Sequence, residues 1–296
     1  MKIKTDEISL PILKDKKVRL FLKRIDLIHP DISGNKWYKL KYNILKVKED
    51  NFDSLLTFGG AYSNHLVATS FAARENNISS IGVVRGEPIL PLNTSLSIAK
   101  KNGMKFRYID RSAYRSKYDS MLIDSLREEF GNFYLLPEGG TNKLALRGVE
   151  EIIEKKDDYD YICCPVGTGC TISGIINTSL ISQKVLGFPA INSSELLRQD
   201  IALLSNKHNW RLIKDYVFGG YAKINNDLIN FIYNFYDTHN IILDGVYTAK
   251  MLFGIIDLVK KDYFPSNSLI LAIHTGGVQG NKGLNERYNL DLPHNF

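Results

Sequence analysis

Short apolar strands alternate with helices along most of the chain, and no other feature of the sequence restricts its fold as strongly. Residues 18–26 alternate apolar and polar side chains, and 54–58, 80–84, 105–109, 133–136, 159–164, 184–188 and 268–274 read as further strands. Helical spacing predicts helices over 36–50, 66–76, 94–102, 117–130, 145–155, 172–182, 194–205, 226–239 and 251–261. Strands and helices in this rhythm build right-handed βαβ units around parallel sheets. The expected fold class is therefore α/β, with parallel-type sheets flanked by helices.

Three of the strand-to-helix turns carry glycines beside hydroxyl or amide side chains. They are Gly59 to His65, Gly167 to Thr171, and His274 to Gly277. In an open parallel sheet such turns lie at the carboxyl ends of the strands, where ligands bind. Gly167-Thr168-Gly169-Cys170-Thr171 is the best anion cradle of the three. Glycine lets backbone N–H groups approach a phosphate closely, and the helix that follows presents its positive end. An ordinary tight turn is the plainer alternative. The loop lacks the Gly-Lys-Ser/Thr of a P-loop, and its glycine spacing does not match G-x-G-x-x-G.

A second feature precedes the first long helix. Ser33-Gly34-Asn35-Lys36 leads into Lys36 and Lys39, three apart and on one helix face. Two ammonium groups on one face repel, so the pair needs an anion or solvent between them. One lysine could bond a carbonyl covalently while the other meets a phosphate; a solvated basic face is the alternative. A phosphate cradle with a lysine at a helix start suggests a phosphorylated carbonyl cofactor. Pyridoxal 5'-phosphate fits, with a lysine Schiff base, a held phosphate and a ring that accepts electrons.

Composition narrows the setting. With 296 residues, 44% apolar and 24% charged, the chain reads as a soluble globular protein of one large or two medium domains. The net charge of +6 is dispersed, so no nucleic-acid partner is expected. Cys163, Cys164 and Cys170 show no zinc spacing, so no metal is expected and reduced thiols in the cytoplasm fit best. No apolar leader or membrane-length stretch is apparent, which predicts a cytoplasmic protein without a membrane partner.

Five motifs in order carry a resemblance over nearly the whole chain. They are Ser33-Gly34-Asn35-Lys36 with Lys39-Leu40, Gly59-Gly60 with Ser63-Asn64-His65, Gly167 to Thr171, Val246-Tyr247-Thr248-Ala249-Lys250, and His274-Thr275-Gly276-Gly277. Together they resemble the 1-aminocyclopropane-1-carboxylate deaminase / D-cysteine desulfhydrase family of fold type II, tryptophan-synthase-β-like pyridoxal phosphate enzymes. The resemblance implies two domains, 1–40 with 138–296 and 41–137, with the cofactor in the cleft between them, and a homodimer. It implies that Lys36 forms the Schiff base and shuttles the Cα proton, and that Lys39 contacts the phosphate. Gly167, Thr168, Gly169, Cys170 and Thr171 would bind the phosphate, and Asn64 the cofactor's phenolic oxygen. Ser63, Asn64 and His65 would hold the substrate carboxylate, Ser63 also relaying a proton. Tyr221 and Tyr247 match the two active-site tyrosines. Thr248 would face the pyridine nitrogen, with Thr275 close by.

Three positions point to a branch of this family. The deaminase branch has glutamate and leucine where this chain has Thr248 and Thr275, and glutamine in place of His65. A carboxylate beside the pyridine nitrogen strengthens the ring as an electron sink. Cyclopropane opening needs that strength, whereas a departing thiolate carries its electrons away. The expected activity is therefore D-cysteine-desulfhydrase-like β-elimination from a small amino acid, giving a 2-keto acid, ammonia and hydrogen sulfide. The alternatives are 1-aminocyclopropane-1-carboxylate deaminase, another D-amino-acid deaminase or racemase, and a non-catalytic α/β ligand-binding protein. Cys170, Gly245, Ala249 and the run Val278-Gln279-Gly280 depart from the family pattern, and the chain is trimmed between Ser182 and Asp215.

Overall fold

A computed structural model describes residues 3–192 and 194–294. The elements in chain order are β1 (Thr5–Ile8), α1 (Pro11–Asp15), β2 (Arg19–Lys23), α2 (Asn35–Glu49), β3 (Ser54–Gly60), α3 (Asn64–Glu75) and β4 (Ser79–Arg85). They continue as α4 (Thr94–Lys101), β5 (Lys105–Ile109), α5 (Arg111–Arg115), α6 (Ser120–Phe130), β6 (Phe133–Leu136), α7 (Lys143–Val149), β7 (Tyr161–Val166) and α8 (Cys170–Thr178). The last are β8 (Lys184–Pro189), α9 (Ser194–Leu204), β9 (Trp210–Leu212), α10 (Asn226–His239), α11 (Thr248–Lys260), β10 (Leu269–Ile273) and α12 (Gly280–Tyr288). The α/β class holds.

Two units emerge, one formed by the residues up to Asn35 with those from Leu146 onward, the other by Lys36–Ala145. Their bounds fall at 35/36 and 145/146, where the sequence expectation drew 40/41 and 137/138. In the discontinuous unit the strand order is β1-β2-β10-β7-β8-β9, parallel throughout except for the edge strand β1. Val185, Leu186, Ile270, Leu271 and Ala272 on its inner strands are almost completely buried, as expected of strands covered on both faces. The apolar stripe of α11, including Met251, Leu252, Ile255 and Val259, packs into the core of this unit with Leu228, Ile232 and Phe235 of α10. In the continuous unit the order is β5-β4-β3-β6, all parallel. Phe58, Val83, Leu126 and Phe133 form part of its core.

Parallel pairing puts strand ends of one direction on one edge. In the discontinuous unit, β2, β7 and β10 are neighbours and end at Lys23, Val166 and Ile273. The glycine loops that follow β7 and β10 therefore leave from the same edge. In the continuous unit, β3 and β6 are neighbours, so Ser63 to His65 and Glu138 to Gly140 share an edge.

Several elements differ from expectation. The helix expected over 145–155 runs Lys143–Val149, and the one expected from 251 starts at Thr248. β1, α1, α5, β9 and α12 were not anticipated. Residues 215–221 form turns, with left-handed backbone at Phe218, Gly219 and Gly220.

Candidate active site

The phosphate loop begins where β7 ends. Gly169 adopts φ +84 and caps α8 without any side-chain hydrogen bond. The amides of Cys170, Thr171 and Ile172 open the helix, where no intrahelical acceptor exists. A left-handed glycine and an uncapped helix start leave backbone donors for an anion. Gly169 is also packed from behind: an added Cβ would lie 3.2 Å from Ile201 Cγ1 and 3.4 Å from Leu197 Cδ1. At Gly167 a Cβ would lie 3.2 Å from the Tyr247 ring and 3.3 Å from its hydroxyl. Tyr247 thus lies on the loop, and its ring meets Tyr221 edge-on at 6.1 Å. Thr168 is exposed, whereas Cys170 and Thr171 are buried.

Asn35 ties the first glycine turn to this loop. Its side-chain amide donates to Thr171 Oγ1 at 2.8 Å, and its backbone N–H donates to the Thr275 carbonyl at 3.2 Å. Gly34, at φ +69, lies directly against Thr275, and a Cβ there would fall onto the Thr275 carbonyl group. Lys36 follows Asn35 in the chain, in the first turn of α2. His274 holds the third glycine loop. Its Nε2 lies 2.8 Å from the Ile242 carbonyl, and its Nδ1 accepts the Gly276 N–H at 3.3 Å. Those partners require the neutral Nε2–H tautomer. Burial also lowers its pKa, although Asp26 opposes the shift.

The start of α11 carries Thr248. Asp244, fully buried, accepts the N–H groups of Val246 and Tyr247 on its carboxylate and so fixes the turn that leads into the helix. Burial pushes the Asp244 carboxyl up to about 7 despite these bonds. Thr248 Oγ1 accepts the Asp244 N–H at 2.8 Å and donates to the Asp244 carbonyl at 3.3 Å. Its only proton is thereby committed. Thr275 differs: among the described residues no hydrogen bond engages its hydroxyl. One turn into α11, buried Lys250 donates to the carbonyls of Val217 at 2.9 Å and Gly220 at 2.8 Å, immediately before Tyr221. Burial lowers the Lys250 pKa to about 8, with Asp244 opposing.

The continuous unit carries the other candidates. Ser63 caps α3 by accepting the N–H groups of His65 and Leu66 at 3.2 and 3.3 Å. Both lone pairs of Ser63 are used, which leaves its O–H as a donor. Asn64 is half-buried in the first turn of α3. The His65 Nε2 lies 2.8 Å from Thr57 Oγ1, and that hydroxyl donates to the Leu136 carbonyl at 2.9 Å. His65 therefore donates from Nε2 and keeps a bare lone pair on Nδ1, which is buried without a partner. Burial, reinforced by the ammonium groups of Lys36 and Lys39, holds the ring neutral. With its Nε2–H given to Thr57, the neutral ring has no second N–H to offer a carboxylate. Lys39, also buried, donates from Nζ to the Gly139 carbonyl at 2.8 Å.

Asn35, Asp244, Lys250, Thr57 and Gly139 were not singled out as site residues from sequence. Asn35 and Lys250 stood inside quoted motifs and could have been; the other roles depend on long-range pairing. The start of α8 offers backbone donors suited to a phosphate, and Lys36 carries the amine that an aldehyde would need.

A family model described as pyridoxal-phosphate dependent enzyme matches residues 3–276. A Pyrococcus horikoshii protein provisionally named 1-aminocyclopropane-1-carboxylate deaminase is 31% identical over 280 residues, covering 88% of this chain and 85% of its own. The mitochondrial Arabidopsis thaliana bifunctional D-cysteine desulfhydrase/1-aminocyclopropane-1-carboxylate deaminase is 29% identical over 293 residues, covering 88% of this chain and 73% of its own. A crystal structure described as an ACC deaminase homologue superposes with a TM-score of 0.81 at 28% identity, covering 97% of this chain and 93% of that one.

Proposed function

The chain belongs to the pyridoxal-phosphate dependent enzymes, and from that premise we propose that it eliminates a β-substituent from a small amino acid. The products are a 2-keto acid, ammonia and, from a cysteine substrate, hydrogen sulfide. The bound cofactor supplies an aldehyde for the substrate's amino group and a ring that accepts electrons from Cα. Lys36 would hold the aldehyde, and its amine would carry the Cα proton. The amides from Gly169 to Ile172 and the Thr171 hydroxyl, oriented by Asn35, receive the phosphate. The Ser63 hydroxyl, a donor because its lone pairs cap α3, holds the substrate carboxylate with Asn64. With both lone pairs engaged, Ser63 is better suited to this donation than to relaying a proton. Tyr221 and Tyr247 flank the reacting carbons.

The observation that carries the elimination reading is the hydroxyl environment at 248 and 275. Thr248 has spent its proton on Asp244, so Thr275 supplies the donor to an unprotonated ring nitrogen. A ring left without a carboxylate partner is a modest sink, sufficient when a thiolate departs with its own electron pair. The names of the relatives make the cyclopropane acid the second substrate to test. Sulfide and 2-keto acid release from D-cysteine, L-cysteine and the cyclopropane acid decides between them. Sulfide with keto acid from a cysteine enantiomer is expected; keto acid from the cyclopropane acid alone would overturn the reading.

Among the described residues no helix is long and apolar enough to cross a membrane. Three buried cysteines that form no disulfide favour a reducing compartment, and we place the protein in the cytoplasm. A homodimer is carried over from the family resemblance.

A further inference from the structure

The discontinuous unit carries a cavity of about 550 Å³ along α9 and the edge strand β9. Ligand pockets span roughly 300–1,000 Å³, so it is large enough for a small molecule. Arg198, His208, Arg211 and Lys214 line it, and Asp215 is the one acid in its wall. Elsewhere exposed cations are commonly paired, as in Lys16–Asp262, Arg19–Glu7, Lys46–Asp50, Arg107–Glu129 and Lys261–Asp257. Among the described residues no carboxylate pairs with Arg198, Arg211 or Lys214. Charges on an edge strand guard against strand pairing, which would account for Arg211 alone. That does not account for Arg198, which reaches the cavity from a helix, or for His208 and Lys214 beyond the strand ends. Like charges gathered in one concavity repel unless an anion joins them. Trp210 forms part of the wall, its ring fixed by indole N–H donation to the Lys207 carbonyl at 2.9 Å.

We propose that this cavity binds a polyphosphate anion, held by the guanidinium groups of Arg198 and Arg211 and the ammonium of Lys214. Two guanidinium forks suit phosphate oxygens. A nucleoside triphosphate and inorganic tripolyphosphate share this chemistry, and Trp210 distinguishes them by stacking on a base. The site is independent of the cofactor reading.

The test is calorimetric titration of the cofactor-loaded enzyme with tripolyphosphate and with ATP, each without added metal, at low and moderate salt. Both should bind, with affinity falling about tenfold as salt is raised through the range that screens exposed charges. R198A/R211A/K214A should weaken binding at least tenfold, with the cofactor's visible absorbance and the elimination rate unchanged. Should that triple variant fold poorly, Arg211→Gln alone, at an exposed position, should weaken binding severalfold. Tighter binding of ATP with quenching of Trp210 fluorescence identifies a nucleotide, and equal affinities identify the inorganic anion. No heat from either ligand at millimolar concentration, or binding unaffected by these substitutions, would overturn the proposal.

Discussion

Gly34→Ala tests how the first and third glycine turns interlock. Gly34 has φ +69, a region that costs an L-residue roughly 1–2 kcal/mol. Its added Cβ would also land on the Thr275 carbonyl, which is backbone and cannot swing aside. Relief requires the two turns to separate, which breaks the Asn35 N–H bond to Thr275 and the Asn35 side-chain bond to Thr171. Each such bond contributes about 1 kcal/mol. The expected loss is therefore about 3–4 kcal/mol. Gly219→Ala serves as control in the same unit. It has φ +83, but its Cβ would meet only the Lys223 side chain at 3.5 Å, an ordinary contact. It should lose only about 1–2 kcal/mol, the dihedral cost. Urea unfolding at fixed cofactor concentration measures both, and cofactor titration by visible absorbance should show weaker binding for Gly34→Ala. Equal losses in the two variants would refute the interlock.

Other perturbations probe single links. Lys250→Met strips the donor from two buried carbonyls, a loss of about 1–3 kcal/mol each that is partly offset because no ammonium is then buried. The folded-state pKa of Lys250, about 8, lies below the ordinary 10.5, so between these values the unfolded chain binds more protons and stability rises with pH. Urea midpoints of wild type and Lys250→Met should therefore diverge between about pH 7.5 and pH 9.5; parallel midpoints would contradict the assignment. Ile201→Ala opens space behind Gly169 and should cost about 2–4 kcal/mol while weakening cofactor binding, read by thermal unfolding and absorbance titration. Thr275→Val should shift the bound cofactor's absorbance more than Thr248→Val, whose hydroxyl is bonded to the Asp244 backbone; the opposite order would exchange their roles.

The sequence revealed what rests on local chemistry. Strand-to-helix alternation and the glycine turn from Gly167 to Thr171 between strand and helix were both legible, because each depends on neighbours in the chain. What escaped notice rests on partners far away. β1 is mostly exposed and polar, and it is a strand only because Thr5 to Ile8 pair with Leu20 to Lys23. β9 has three residues and exists through its pairing with β8. α12 begins Gly280-Asn281-Lys282-Gly283, where the glycines and Asn281 are poor helix formers, and its Asn281 bridges Gly245, Leu243 and Pro293. The tautomer of His65 turned on Thr57, eight residues earlier, which takes the ring's Nε2–H.

Borohydride reduction of the cofactor-loaded protein, followed by peptide mapping, tests the central claim most directly. The claim predicts that the visible band disappears and that the reduced adduct lies on Lys36. An adduct on Lys39 or Lys250, or a protein that gains no visible band with pyridoxal phosphate, would contradict it.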